Sequence, residues 1–308
     1  MQYAIIPGTE IRVSRLCLGT MTFGAPVPAG EAISLTRLAL DEYGVNFVDT
    51  ANMYEGYNRV AGSAGGVAEE IVGEAVKGRR QDFVIATKLG MKVGSAPEDD
   101  MTSPEAIRVQ LRRSLKRLQT DYVDVYYLHR YDPATPPQAI VRAMGNEMKN
   151  GLIRAWAVSN YSADQLKALL AAAREENVTP PVLCQPQMSL LCQGPKRDML
   201  PLCAENGMGV VPYQALHGGY LTGKYRKEAA APSGSRMAEK PGWMKPMTDA
   251  DWQIVEDARE EARKAGVTMT QYALRWALGQ QGVVSVLIGV KREEQLREAA
   301  QALAQEVV

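Results

Sequence analysis

Short runs rich in Val, Ile and Leu recur along the chain at 16–19, 46–49, 83–87, 122–128, 153–158, 182–185, 208–213 and 283–287. Between and after them lie longer amphipathic segments near 30–43, 66–78, 103–118, 136–150, 163–176, 196–206, 268–280 and 292–304. Apolar strands flanked by helices point to a parallel sheet covered by helices. Eight such units within 308 residues favour a closed α/β barrel, a (β/α)8 TIM barrel built as one domain over 1–308, above an open sheet. An open, doubly wound sheet also needs a Gly-rich phosphate turn after its first strand, and Gly19-Thr20-Met21-Thr22-Phe23-Gly24 does not supply it.

Two additions decorate the barrel pattern. Weak alternation around Pro7-Gly8-Thr9-Glu10 predicts an N-terminal β-hairpin over residues 1 to 13. After strand 7 comes a long loop between Gln214 and Met247, rich in glycine and proline, and then an extra helix over 249–264 opened by Thr248 or Asp249. A loop of that length inside a compact domain is usually functional or disordered. Local signals support the other helices. Thr102-Ser103-Pro104-Glu105 offers a cap followed by proline and an acid, and Ser162-Ala163-Asp164-Gln165 reads as a capping box.

Composition excludes several functions. Lysine plus arginine balance aspartate plus glutamate at 35 each, so nothing draws the chain to nucleic acid or an anionic membrane. No apolar run reaches the roughly 18 residues of a membrane span. Met1 to Pro7 lacks the basic and apolar stretches of a signal peptide, so a cytoplasmic protein is expected. The four cysteines, Cys17, Cys184, Cys192 and Cys203, form no CxxC pair and read as reduced, packed thiols. With His129 and His217 the only histidines, no metal site is expected.

Ionisable residues gather at the strand ends. Asp49 closes Asn46-Phe47-Val48-Asp49, Lys88 closes Val84-Ile85-Ala86-Thr87-Lys88, and His129 closes the run from Tyr122. Tyr54 lies on the loop just past Asp49. The C-terminal strand ends are where (β/α)8 enzymes build their sites. Tyrosine is a poor acid near neutrality, and a nearby ammonium is expected to lower its pKa. Asp49 would hold Lys88 charged, His129 would donate to or polarise a carbonyl oxygen, and Tyr54 would protonate it as hydride arrives at carbon. Each residue alone also fits a plainer role: a helix cap, a solvated cation, an amphipathic tyrosine, a structural histidine. Their joint placement favours the acid–base reading.

The runs Val45 to Tyr54, Ala86-Thr87-Lys88, Asp121 to His129, Gly151 to Ala155, Val158-Ser159-Asn160, Gly223-Lys224-Tyr225 and Leu287 to Arg292 resemble, in order, those of the aldo-keto reductase superfamily. The resemblance implies a (β/α)8 barrel that uses NADP(H), sometimes NAD(H), to reduce aldehydes and ketones. It implies catalytic roles for Asp49, Tyr54, Lys88 and His129. It further implies that Ser159, Asn160 and Gln185 hold the nicotinamide carboxamide and that Tyr213 stacks on the ring. Leu216, Gly218 and Lys224 would wrap the pyrophosphate. Gly289, Lys291 and Arg292 would meet the adenosine phosphate, with Gln295 and Glu298 near phosphate and adenine. Basic residues beside a helix N-terminus suit a 2′-phosphate and favour NADP(H), although a solvated Lys-Arg pair is the plainer account.

The chain departs from the family pattern at Ala157, Met188, Gln214-Ala215 and Ala299, none of them a catalytic position. Substrate-pocket candidates are Phe23, Met53, Tyr57, Tyr131 and Trp243, for a small carbonyl or alcohol substrate that the sequence does not choose. A second reading is a non-catalytic nucleotide-binding regulatory subunit, since auxiliary subunits of potassium channels resemble the same superfamily. Oligomeric state is open.

Overall fold

The computed structural model describes residues 1–60 and 62–304. A two-stranded antiparallel hairpin, β1 (Tyr3–Ile5) and β2 (Arg12–Ser14), precedes eight parallel strands. These are β3 (Leu16–Gly19), β4 (Phe47–Asp49), β5 (Val84–Leu89), β6 (Val123–Leu128), β7 (Ile153–Ser159), β8 (Leu183–Gln185), β9 (Gly209–Val210) and β10 (Val286–Gly289). Their spatial order is β10-β3-β4-β5-β6-β7-β8-β9. The sheet curls back on itself at the last pair. Val210 N–H donates to Gly282 O at 2.8 Å, Val284 N–H to Val210 O at 3.0 Å, and Leu287 N–H to Pro212 O at 3.1 Å. The result is the (β/α)8 barrel that the alternation predicts.

Side-chain parity explains why the strand ends matter. One set of strand residues, including Cys17, Phe47, Val84, Ala86, Val125, Tyr127, Ala155, Ala157 and Leu183, packs together as one buried cluster. The intervening set, including Leu18, Val48, Ile85, Tyr126, Leu128, Trp156 and Val158, packs with helix residues such as Ile71, Leu111 and Leu166. Successive strand residues face opposite sides, so the first set is the barrel interior and the second its outer wall. Asp49, Lys88, His129, Ser159 and Gln185 all share the interior parity at the C-terminal ends. Ile6, Ile11 and Val13 of the hairpin join the interior cluster, so the hairpin plugs the opposite end.

The helices are α1 (Ala29–Asp41), α2 (Val67–Val76), α3 (Pro104–Leu118), α4 (Pro137–Lys149), α5 (Ala163–Glu175), α6 (Met199–Glu205), α7 (Arg236–Glu239), α8 (Asp249–Lys264), α9 (Met269–Leu278) and α10 (Glu293–Ala302). The expected caps form. Ser103 accepts from Ala106 N–H at 3.1 Å, and Ser162 and Gln165 make a reciprocal box. Thr248 and Asp251 form a second box that starts the extra helix α8.

Four expectations shift. The last strand starts at Val286, three residues later than the apolar run, because Val283 bridges Val210 before β10 pairs with β3. The 208–213 run keeps only two strand residues, and helix 196–206 divides into a 3-10 turn at Gly194–Lys196 and α6. The long loop is partly ordered: it contains the 3-10 stretch His217–Thr222, α7 and a 3-10 turn at Pro241–Trp243.

Candidate active site

Backbone pairing carries Tyr54 to the strand ends. The chain leaving β4 continues along β5, with Thr50 N–H bonded to Ala86 O at 2.8 Å and Asn52 N–H to Lys88 O at 3.0 Å. It then turns, Tyr54 N–H meeting Ala51 O at 3.1 Å, and Tyr54 O accepts from Ala68 N–H of α2 at 3.0 Å. Tyr54 is thereby clamped between a strand and a helix start.

Lys88 is wholly buried, and its ammonium has three acceptors: an Asp49 carboxylate oxygen, Thr50 O at 2.9 Å and Tyr54 Oη at 3.4 Å. Its Nζ also lies 4.9 Å from the centre of the Tyr54 ring and 5.8 Å from that of Tyr127. Burial works against the charge, but Asp49 and Tyr54 more than offset it, and the Lys88 pKa stands above its ordinary value. The second Asp49 oxygen accepts from Gln185 Nε2 at 2.9 Å.

The Tyr54 phenol corrects an expectation. Burial raises its pKa above 10; Lys88 pulls it down and Asp49 adds to the rise, and the balance is upward. The lowering expected from Lys88 alone is overturned because desolvation of a phenolate outweighs one ammonium already paired with a carboxylate. Tyr54 therefore carries its proton throughout the neutral range.

His129 packs edge-on to Tyr54, with ring centres 6.0 Å apart. Burial first, then Lys88, Arg130 and Arg59, pushes its pKa well below 6.5, so the imidazole is neutral at pH 7. Its Nδ1 is buried with no partner among the described residues.

Next to this cluster, Asn160 stands in the left-handed region at φ 58°. Its amide donates to His129 O at 2.8 Å and to Ser159 Oγ at 3.2 Å, and it accepts from Tyr213 Oη at 2.7 Å. Ser159 Oγ in turn donates to Gln185 O at 2.9 Å. Ser159, Asn160, Gln185 and Tyr213 thus form one connected polar patch beside Asp49.

Leu216 caps the 3-10 stretch in which Gly218 and Gly219 take φ of 65° and 99°. A Cβ on Gly218 would lie 2.9 Å from Met244 Sδ, so the glycine admits the strap that carries Trp243. Lys224 has its pKa lowered by burial and then by Lys291, Arg236 and Arg292, with Glu239 opposing. Four cations crowd one carboxylate there, and a phosphate would relieve that crowding, so the residues fit an anionic nucleotide.

Lys291 donates to Gly234 O at 3.0 Å and is paired with Glu239. Arg292 caps α10, Gln295 accepts from Lys291 N–H at 2.7 Å, and exposed Gly289 ends β10. Glu298 is held by Thr268 Oγ1 at 2.6 Å, which ties it to α9.

Among the substrate candidates, Tyr57 and Trp243 meet edge to face at 5.2 Å, with Lys240 Nζ 5.7 Å from the Trp243 ring. Met53 is partly exposed on the Tyr54 loop, and Tyr131 packs edge-on to Tyr161 at 5.7 Å. Phe23 lies apart from these side chains. It is fully buried in the core because its loop folds back, Phe23 bridging Val27 and Val27 N–H reaching Thr22 O at 3.1 Å.

Sequence reasoning missed three contacts. Thr50 O is backbone and leaves no sequence signal. Tyr127, under Lys88, was readable from the parity of 125, 127 and 129. Glu239 pairs with Lys291 across 52 residues, beyond any local pattern.

No helix among the described residues is long and apolar enough to cross a membrane, and none of their acidic, histidine and cysteine side chains cluster as a metal site. The aldo/keto reductase family model matches residues 15–308. The chain is 35% identical to a probable voltage-gated potassium channel subunit beta of Arabidopsis thaliana, over 98% of this chain and 91% of that protein. A protein of the same name from Oryza sativa subsp. japonica is also 35% identical, with the same coverage. An uncharacterized oxidoreductase of Bacillus subtilis, YrpG, is 34% identical over 98% of this chain and 91% of its own length. Family match, barrel and strand-end cluster agree, and the chain belongs to the aldo/keto reductase family.

Proposed function

We propose that residues 1–308 act as one domain that reduces an aldehyde or ketone to the alcohol with NADPH, Tyr54 serving as general acid. The observation that carries this is the direction of the hydrogen bond between Lys88 and Tyr54. The Lys88 ammonium donates to Tyr54 Oη, so the phenolic oxygen is already an acceptor and its own proton is left for another partner. NADPH, when bound, supplies the hydride to the carbonyl carbon. Tyr54 gives its proton to the carbonyl oxygen, and Lys88 and Asp49 offset the phenolate charge that remains. Neutral His129 orients the carbonyl by donating to the same oxygen.

Ser159, Asn160 and Gln185 offer the polar patch for the nicotinamide carboxamide, and Tyr213 an aromatic face beside it. Leu216, Gly218, Lys224, Gly289, Lys291, Arg292, Gln295 and Glu298 would meet the phosphates and adenine. Crowding of Lys224, Lys291, Arg236 and Arg292 supports NADP(H). Met53, Tyr57, Tyr131 and Trp243 are the side chains offered to the substrate.

The test is NADPH consumption across a carbonyl panel, with Tyr54→Phe alongside and cofactor binding followed by fluorescence. Turnover should fall at least about 100-fold in the variant while binding persists. Undiminished turnover in Tyr54→Phe would sink the assignment. The likeness to two proteins named as potassium channel beta subunits favours a second reading, a nucleotide-binding regulatory subunit without turnover. Tight NADPH binding with no consumption of cofactor on any carbonyl selects it.

A further inference from the structure

Gln185 touches the catalytic pair itself. Its Nε2 donates to Asp49 Oδ2 at 2.9 Å while Asp49 Oδ1 takes the Lys88 ammonium, and all three side chains are buried. A carboxylate paired with an ammonium offers only acceptors, so the amide must present its N–H there, and its orientation is fixed by chemistry. The Gln185 backbone is fixed as well, because Ser159 Oγ donates to its carbonyl at 2.9 Å and β8 pairs Gln185 with Ser159. Without that N–H, either Asp49 oxygen can turn to Lys88, and the ammonium loses its defined place between Thr50 O and Tyr54 Oη.

We infer that Gln185 is a positioning residue for the proton donor: it locks the Asp49 carboxylate, which aims Lys88 at Tyr54. This rests on the reading of Tyr54 as general acid, and it adds a role that cofactor binding alone would not give Gln185. One amide would then join the nucleotide patch to the acid–base chain.

Gln185→Leu and Gln185→Glu test it. With NADPH kept saturating so that any weaker binding of the cofactor drops out, Gln185→Leu should lower kcat roughly 10- to 100-fold, the range for loss of a hydrogen bond to a charged group. Gln185→Glu should recover kcat as the pH is lowered, because its protonated carboxyl can again donate to Asp49; Gln185→Leu should show no such recovery. A merely structural role would not separate the two pH profiles. Wild-type kcat with a weakened Kd in Gln185→Leu would overturn the proposal and leave Gln185 a cofactor ligand. Parallel pH profiles for the two variants would overturn it too.

A readout free of turnover separates this from failure of the reductase reading. In a crystal structure of Gln185→Leu the Asp49 carboxylate should have turned and the Lys88 ammonium should have left its place between Thr50 O and Tyr54 Oη. An unmoved Lys88–Tyr54 contact refutes the positioning role even if the wild-type protein reduces nothing. Absence of wild-type turnover with a displaced ammonium refutes the reductase reading alone.

Discussion

Lys88 holds a full charge inside the barrel because each of its three protons meets an acceptor. Removing one partner of a buried pair leaves the other uncompensated, at a cost of about 3–5 kcal/mol. Lys88→Met should therefore lose stability of that order and most of its turnover, read by urea unfolding and NADPH consumption. A near-wild-type rate would mean that Tyr54 is held by something else. His129 makes a pH prediction. Its pKa is lowered on folding, so below its ordinary 6.5 the unfolded chain takes up a proton that the folded protein refuses. Its contribution is present above that pH and lost as pH falls. His217 is shifted the same way, by burial and Lys245, and adds to the slope. The Tm should drop on acidification from pH 7.5 to 5.5, and His129→Gln should flatten that fall; an equal slope in the variant would show that His129 does not carry it. The histidine's place at a strand end was legible in the sequence. Its neutrality was not, because it depends first on burial and then on Lys88 and Arg59 from two distant segments as well as on the neighbouring Arg130.

At the scale of elements, the loop between β4 and α2 decides where Tyr54 stands. Gly56 takes φ 64°, and a Cβ there would lie 2.1 Å from Ala25 O, whose carbonyl accepts Tyr57 N–H at 2.7 Å. Gly56→Ala must shift both backbones, and strain of this kind costs about 1–3 kcal/mol. Unfolding should register that loss, and turnover should fall with Lys88 untouched. Full turnover would show that Tyr54 is placed without this turn. The strands and helices were largely readable because apolar period and caps are local. The shift of β10 was not, since Val283-Val284 and Val286–Ile288 are equally apolar, and only the neighbouring strand distinguishes them.

Across the whole molecule, the two ends of the barrel differ. The hairpin fills one end with Ile6, Ile11 and Val13, while the other end gathers the ionisable residues. The strap after β9 reaches across that second end, where Glu239 pairs with Lys291 and Trp243 packs on Tyr57. The proposed nucleotide would span from Tyr213 to the start of α10. Lys291→Ala with Arg292→Ala should weaken NADPH far more than NADH, measured as the two Kd values by fluorescence. Equal loss for both would refute a 2′-phosphate contact.

Local order was enough to determine much of this protein. Eight apolar runs between amphipathic segments favour a barrel above an open sheet, and period-two parity puts Asp49, Lys88, His129, Ser159 and Gln185 on its inner face. Tertiary structure alone decided the energetics of that face. Burial keeps the Tyr54 proton on, Gln185 turns to Asp49, Phe23 sinks into the core, and Glu239 reaches Lys291. Each outcome depends on desolvation or on a partner distant in sequence, and no periodicity along the chain encodes either.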